Sequence, residues 1–344
     1  MARTHCASGC LPRGWPPTRA RRLLALIADA AHRPVLLEEA VAALAIGRGG
    51  VYVDATFGRG GHSRRILDSL GPDGRLIALD RDPAAQAEAS RWNDPRFVFR
   101  RAWFSELPDV LEAAAIAQVD GVLLDLGVSS PQLDDPQRGF SFRADGPLDM
   151  RMDPSRGTSA AQWLATVSEG ELRGVIATYG EERFARQIAR AIVTARAREP
   201  ILRTRQLAAV VAEAIGSRAR RDGSQDPATR TFQAVRIHVN QELEELSLAL
   251  EGALPRLCTG GRLVVISFHS LEDRQVKEFF RRHSQPFGGD ARLARLPIAT
   301  EALPVPPLKL VGRALSPSDA ELAANPRARS ARLRAAERTL GPIA

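Results

Sequence analysis

The amino-acid sequence predicts an α/β protein, an open parallel sheet of repeated strand–helix units interrupted by an inserted all-helical domain. Three observations predict it. Strand-like apolar runs alternate with helix-spaced segments from Val51 to Leu126, the pattern of a parallel sheet with right-handed crossovers. One of these runs, GVLLDL at 121–126, is unbroken, as expected of a strand buried on both faces. After it no strand pattern returns until GGRLVVISF at 260–268.

Residues 1–31 read as a basic extension without ordered structure, with Arg19, Arg21 and Arg22 among several prolines. Their apolar core is too short for a signal peptide. From His32 onward LLEEAVAAL has helical spacing, with Leu36, Ala40 and Leu44 on one face. Strands are expected at 51–56, 75–80, 97–101 and 121–126, with helices at 62–70 and 105–117 and one starting at Pro83, where a missing N–H costs little. Residues 127–157 are rich in Gly, Pro, Ser and Asp and too long for a plain connector. Helices follow at 159–166, 168–179, 182–197 and 203–217. The sequence therefore divides into a sheet domain, 32–134 and 229–344, and a helical insertion, 135–228, read as the substrate-recognition part. A single helix from Thr229 to Leu254 returns the chain to the sheet, with Phe232, Val235, Val239, Leu243, Leu246 and Leu250 as its apolar stripe. Gln233, Arg236 and Asn240 share another face, either solvated or functional. A helix over 269–283 and a late strand over 306–311 follow. The basic end, RARSARLRAAERT, reads as a solvent-facing charge run or a nucleic-acid contact.

The stretch VYVDATFGRGGHSRRIL, 51–67, organises the rest. A strand enters a turn in which Gly58, Gly60 and Gly61 allow close backbone approach to a ligand. The next helix points its N-terminal N–H groups back at that turn. Asp80 ends the second strand, where a carboxylate can accept both ribose hydroxyls of a nucleoside. No Gly-Lys-Ser/Thr follows the turn, which excludes a Walker A loop. The glycines sit too close together for a dinucleotide fingerprint. S-adenosylmethionine, which needs no phosphate cradle, is the remaining candidate. Asp54, Asp80 and Asp125 all fall at or near strand ends, where ligands of such sheets bind.

The chain has 344 residues, 44% hydrophobic, and a net charge of +8 with Arg greatly outnumbering Lys. That excess favours a polyanionic partner, RNA or DNA. No apolar run reaches the ~18–20 residues of a membrane span. Three cysteines make no disulfide framework, which points to a reducing compartment, the cytoplasm. His5, Cys6 and Cys10 lack a second ligand pair, so no metal is expected.

The fourth strand ends in Asp125-Leu126-Gly127-Val128-Ser129-Ser130-Pro131-Gln132. This resembles the Asp/Asn/Ser-Pro-Pro-aromatic box of amino-methyltransferases, with the aromatic missing and Gln132 in place of the second Pro. Phe140 or Phe142 could supply the stacking surface instead. An exocyclic amine is a weak nucleophile because its lone pair is delocalised into the ring. A side-chain oxygen and a backbone carbonyl accepting its two N–H bonds localise that pair and aim it. Asp125, Ser129, Ser130 and Pro131 are therefore the catalytic candidates.

HRPVLLEEAV, DATFGRGGHS, ALDRDP, the long run DGVLLDLGVSSPQLDDPQRGFSFRADGPLDMRMDP, TRTFQAVRIHVNQELEEL and VISFHSLEDRQVKEFF together resemble the bacterial small-subunit ribosomal RNA cytosine-N4 methyltransferases, the RsmH/MraW family. The resemblance runs from His32 to Arg338. It implies a Rossmann-like, S-adenosylmethionine-dependent methyltransferase sheet. It implies as acceptor the N4 amine of a cytidine in 16S ribosomal RNA, in the decoding region of the small subunit. Carried over by motif, Gly60, Gly61 and His62 line the cofactor, Asp80 holds its ribose and Phe104 contacts its adenine. Asp125 and Gln132 lie near the methionine end or the adenine edge.

Several alternatives stay open. His62 is a general base or a structural contact to the cofactor. His269, Ser270, Glu272 and Asp273 shape the substrate pocket, or Ser270 caps a helix with Asp273 at its third position. Met150 to Asp153 line the target channel or pack the insertion on the sheet. A homodimer is neither required nor excluded. Two competing functions are a DNA amino-methyltransferase and a non-enzymatic RNA-binding assembly factor.

Overall fold

In a computed structural model the described residues are 34–216, 226, 228–289 and 303–343. The reading of residues 1–31, and the metal question at His5, Cys6 and Cys10, lie outside them. Seven strands form one sheet in the order β3-β2-β1-β4-β5-β7-β6. These are β1 (Val51–Asp54), β2 (Arg75–Asp80), β3 (Phe97–Arg101), β4 (Val119–Asp125), β5 (Leu257–Ser267), β6 (Leu308–Leu310) and β7 (Arg332–Arg338). The first five are parallel, as expected. β7 runs antiparallel to both β5 and β6.

The chain steps outward from β1 to β2 and β3, then returns to place β4 on the other side of β1. Such a reversal opens a crevice beyond the strand ends, where ligands of these sheets bind. Asp54 and Asp125, the last residues of β1 and β4, flank it.

Strand alternation feeds a core on each face. Val53, Val122 and Leu124 pack on one side with Leu107 and Leu111 of α4 (Leu107–Ala113) and with α11 (Glu242–Ala253) and α12 (Ser270–His283). Tyr52 and Leu123 face the other side, against α1 (Leu37–Leu44) and α2 (Gly61–Ser69). Helix α3 (Pro83–Ala89) covers β2 and starts where expected: Asp82 caps it by accepting from the Ala84 N–H at 2.8 Å, with Pro83 in the first turn.

Between β4 and β5 lie α5 (Ser130–Asp134), α6 (Ala160–Thr166), α7 (Glu169–Gly180), α8 (Ala185–Arg196), α9 (Thr204–Ile215) and α10 (Ala228–Asn240). From α6 to α9 they match the expected insertion helices to within a few residues. They share a core of their own, reaching from Phe140 and Met150 to Phe232 and Val235. Met150 and Met152 are buried in it, so this loop packs the insertion; Arg151 pairs with Asp149 and Asp153 with Arg101.

Three expectations are corrected. The helix from Thr229 to Leu254 is two helices, broken at Gln241, whose φ of 51° is left-handed. Tertiary bonds hold the break. Asn240 donates to the Met150 carbonyl at 2.7 Å and accepts from the Met152 N–H at 2.8 Å, while its own carbonyl accepts from Arg81 at 3.0 Å. The basic C-terminal run, read only as a charge run, contains the strand β7, with Leu333 and Ala336 in the core and Arg332 exposed. The cap of α12 is His269, whose Nδ1 accepts from the Glu272 N–H. Glu272, not Asp273, reaches back to the Phe268 N–H at 2.8 Å. Ser270 instead donates to Glu181, and Asp273 accepts a fork from Arg334.

Candidate active site

The turn after β1 is built around glycine. Gly60 has a φ of 77°, and a Cβ there would fall 2.3 Å from the Trp92 ring and 2.8 Å from Phe57. Only a residue without a Cβ lets the chain pass over this aromatic pair and begin α2 at Gly61. Asp54 braces the turn from beneath, accepting from the Thr56 N–H at 3.1 Å and the Ser63 hydroxyl at 2.6 Å. Asp80 holds its outer limb, with Oδ2 accepting from the Gly58 N–H at 2.7 Å and Oδ1 from the Asp82 N–H at 2.8 Å. A carboxylate offers about four lone-pair sites, so each oxygen keeps one for a ligand.

Asp125 is the odd member of the three strand-end acids. Its Oδ2 lies 3.5 Å from His62 Nδ1, and its Oδ1 is buried with no hydrogen-bond partner among the described residues. His62 Nε2 is likewise buried and unpartnered. Burial, then the nearby charges of Asp54 and Glu272, hold the Asp125 carboxyl well above the ordinary carboxylate range. Burial lowers His62 to about 4, so its ring is neutral at pH 7. Asp54 is pushed up to about 6, again mainly by burial. The Asp80 carboxyl is raised for the same first reason.

The Asp-to-Gln box forms the next wall. Gly127, with a φ of 90°, turns the chain out of β4, and α5 begins at Ser130. Ser129, Ser130 and Pro131 are half-buried there, while Gln132 is buried. Both ends of the Gln132 amide are already engaged: Oε1 accepts from the Ser129 N–H at 2.8 Å and Nε2 donates to Asp82 at 2.6 Å. Gln132 thus ties the box to the end of β2. Phe104 opens a short turn after β3 and packs, half-buried, against the sheet core.

Sequence reasoning missed the arginines that join this edge to the insertion. Arg138 donates to Asp82 at 2.8 Å and to the Met152 carbonyl at 2.9 Å. Arg81, buried over the Trp103 ring, reaches the Asn240 carbonyl. The only signal was their place, directly after Asp80 and inside the Gly/Pro-rich loop. Arg236 was singled out as sharing a helix face with Gln233 and Asn240; it is half-buried and forks Glu242 at 2.8 and 2.7 Å. Glu242, His269 and Glu272 bring ligand-type atoms within 4.8 Å of one another. The Arg236 guanidinium already supplies the positive charge of that cluster.

A model of the MraW methylase family matches residues 29–339. The ribosomal RNA small subunit methyltransferase H of Thiobacillus denitrificans is 61% identical over 310 residues, covering 90% of this chain and 98% of that protein. Its counterpart from Neisseria meningitidis serogroup A is 58% identical, over 91% of this chain and 94% of its own. The chain belongs to the MraW methylase family.

It is accordingly an S-adenosylmethionine-dependent methyltransferase with a Rossmann-like sheet. A putative rRNA-methylase structure from Clostridium thermocellum is 12% identical over 90% of this chain and 99% of that one, with a TM-score of 0.41. The residues present fit the family's cofactor, which carries an ammonium group and a ribose diol. Asp125 Oδ1 is a buried acceptor without a donor, a costly arrangement unless a ligand completes it. Asp80 keeps open acceptor positions across the glycine turn.

Proposed function

We propose that this methylase modifies the exocyclic N4 amine of a cytidine in 16S ribosomal RNA, in the decoding region, within the small ribosomal subunit in the cytoplasm. The observation that carries the reading is Asp125: a carboxylate at the sheet's reversal point, with one oxygen unpartnered among the described residues, four residues before the Ser129-Ser130-Pro131 turn. Two relatives at 61% and 58% identity are named for the ribosomal small subunit, which supports the RNA class. Among the described residues no helix is long and apolar enough to cross a membrane. The reading holds for a monomer or a homodimer.

In this reading Gly60, Gly61 and His62 line the cofactor, Asp80 accepts from its ribose, Phe104 flanks its adenine, and Gln132 fixes the loop beside it. S-adenosylmethionine supplies, when bound, a methyl group on a cationic sulfur that an uncharged nitrogen can attack. The chain's task is to present that nitrogen. Asp125 and a carbonyl of the Ser129–Pro131 turn accept the two amine N–H bonds and hold the lone pair in line, a matter of alignment and preorganised acceptors. A carboxyl with a raised pKa is also a stronger base toward the proton the amine sheds. Neutral His62 packs beside Asp125 without adding a charge that would depress it. The insertion, 135–228, grips RNA around the target, which must leave its stack at a cost of about a few kcal/mol.

The test is transfer of labelled methyl to small-subunit particles lacking the modification, with the product nucleoside identified by mass spectrometry. N4-methylcytidine at one decoding-region position is expected. Methyl on another atom, or none while calorimetry shows cofactor binding, would overturn the assignment. Single-stranded DNA in the same assay checks the DNA alternative.

A further inference from the structure

Two cavities lie away from the strand-end edge, on either side of α12, and their electrostatics differ. The first, about 300 Å³, is bordered by Ser247, Gln275, Glu278, Arg281 and Arg282. Its charges are balanced locally, since Arg282 pairs with Glu251 on α11 and Glu278 adds a carboxylate. The second, about 200 Å³, lies between α12 and the β6–β7 edge. Lys277, Arg281, Arg313 and Arg334 line it, together with the backbone around Gly312. Arg334 is held by Asp273 at 2.8 and 3.0 Å. The other three cations have no carboxylate partner among the described residues. Lys277 and Arg281 are one helical turn apart on the same face of α12, and Arg313 sits on the loop that leaves β6.

Three exposed cations without a carboxylate partner among the described residues, around one small cavity, set up a local positive field that attracts an anion. The cavity is two strands removed from Asp125, because β5 and then β7 follow β4 in the sheet. It therefore belongs to neither the cofactor crevice nor the amine box. We propose that this cleft between α12 and the β6–β7 edge binds a backbone phosphate of the RNA substrate, anchoring a strand whose target base reaches the Asp125 edge. The proposal rests on the RNA reading above and adds to it a place. Contacts of this kind position a nucleic acid and carry affinity without reading sequence.

The test compares the full-length protein with the triple variant Lys277→Ala/Arg281→Ala/Arg313→Ala, using small-subunit particles lacking the modification. The variant is expected to bind roughly tenfold or more weakly at low salt, and its slope of log affinity against log salt is expected to be shallower by about 1, the loss of one phosphate contact. KM for particles should rise while kcat at saturation, cofactor affinity and melting temperature stay as in the parent. The charge-retaining variant Lys277→Arg/Arg281→Lys/Arg313→Lys should restore binding and slope, which a loss of packing would not. Equal affinity and equal slope in parent and alanine variant overturn the proposal and leave the methylation reading standing. A parent that binds no particles at all overturns both. Inorganic phosphate provides the other arm. If it raises the melting temperature of the parent but not of the variant, and RNA binding is equal in the two, the cleft holds a free anion and the RNA assignment falls.

Discussion

Asp125 and Asp82 sit on the same edge of the sheet in opposite surroundings. Asp82 is buried with Arg138 at 2.8 Å and the Gln132 amide at 2.6 Å, and it caps α3 as well. Asp125 has a neutral imidazole on one oxygen and, among the described residues, no partner on the other. The contrast extends outward. Acids facing the insertion are matched to arginines: Asp153 with Arg101, Glu242 with Arg236, Glu182 with Arg230. Acids at the strand ends are matched to backbone N–H groups, a serine hydroxyl or nothing. A buried carboxylate with its own arginine is a structural tie. One left open at a crevice is reserved for a ligand, and the raised carboxyls of Asp80 and Asp125 are the energetic trace of that reservation.

The strongest test of this division removes a tie. Arg138→Ala leaves Asp82 buried without a cation and the Met152 carbonyl without its donor. Breaking one half of a buried pair costs about 3–5 kcal/mol, so the denaturant midpoint should fall steeply. A loss below about 1 kcal/mol would mean that Asp82 is not tied by charge, and the distinction between the two regions would fail.

Next in size is a pH effect on Asp54, the strand-end acid beneath the glycine turn. The Asp54 carboxyl is pushed up to about 6, so the folded protein keeps a proton that the unfolded chain loses above about pH 4. Stability is therefore lost as pH rises through 4 to 6, and the penalty persists above that. His62, lowered to about 4, acts in the opposite sense: it is neutral when folded and protonated when unfolded, so it adds stability as pH rises to about 6.5. In the parent the two slopes oppose each other. Asp54→Asn removes the first, and the stability difference between variant and parent should grow in the variant's favour by about 2–3 kcal/mol between pH 4 and 6.5. Urea midpoints across that range measure it; a pH-independent difference would show that burial does not shift Asp54.

Asp80→Asn probes the ribose assignment. One carbonyl oxygen remains to hold either Gly58 or Asp82, and the charge is gone. Cofactor affinity should fall about 10- to 100-fold, the worth of a charge-assisted hydrogen bond or two. Calorimetry with S-adenosylmethionine, read beside the melting temperature, decides. Unchanged affinity with an intact fold would place the ribose elsewhere.

The elements that sequence reasoning located are those specified locally. Strands β2 and β3 fall on their expected residues, and the insertion helices from α6 to α9 within a few, because their apolar spacing repeats over each whole segment. The glycine turn and Asp80 were legible because φ above zero and a strand-end carboxylate leave marks in single residues. What escaped depends on partners distant in the chain. The stripe from Phe232 to Leu250 continues through Gln241 without a breaker; the break exists because Asn240 bonds to a loop ninety residues earlier. β7 was hidden by its arginines, which look solvated in sequence. In the fold Arg332, Arg334 and Arg338 lie along a strand whose Leu333 and Ala336 are buried, and Arg334 finds Asp273. Arg81 and Arg138 could not be told from the other arginines of an Arg-rich chain, because burial alone distinguishes them.

The smallest predicted effect bounds the comparison from the other side. Arg327, in the turn after α13 (Asp319–Ala324), meets Asp134 at the end of α5 at 2.5 Å, close in sequence to the amine box. By distance alone it is as good an ion pair as Arg138 with Asp82. Its two side chains, however, are 41% and 51% exposed, so water screens the charges and their ordering cancels much of the attraction. Exposed pairs are worth about 0.2–1 kcal/mol. Arg327→Ala should therefore shift the midpoint by no more than that, with the shift shrinking as salt is added, and should leave cofactor affinity unchanged. A loss approaching that of Arg138→Ala would show that ion-pair geometry, not burial, separates the ties from the rest, and the reserved status of Asp125 would then need another explanation.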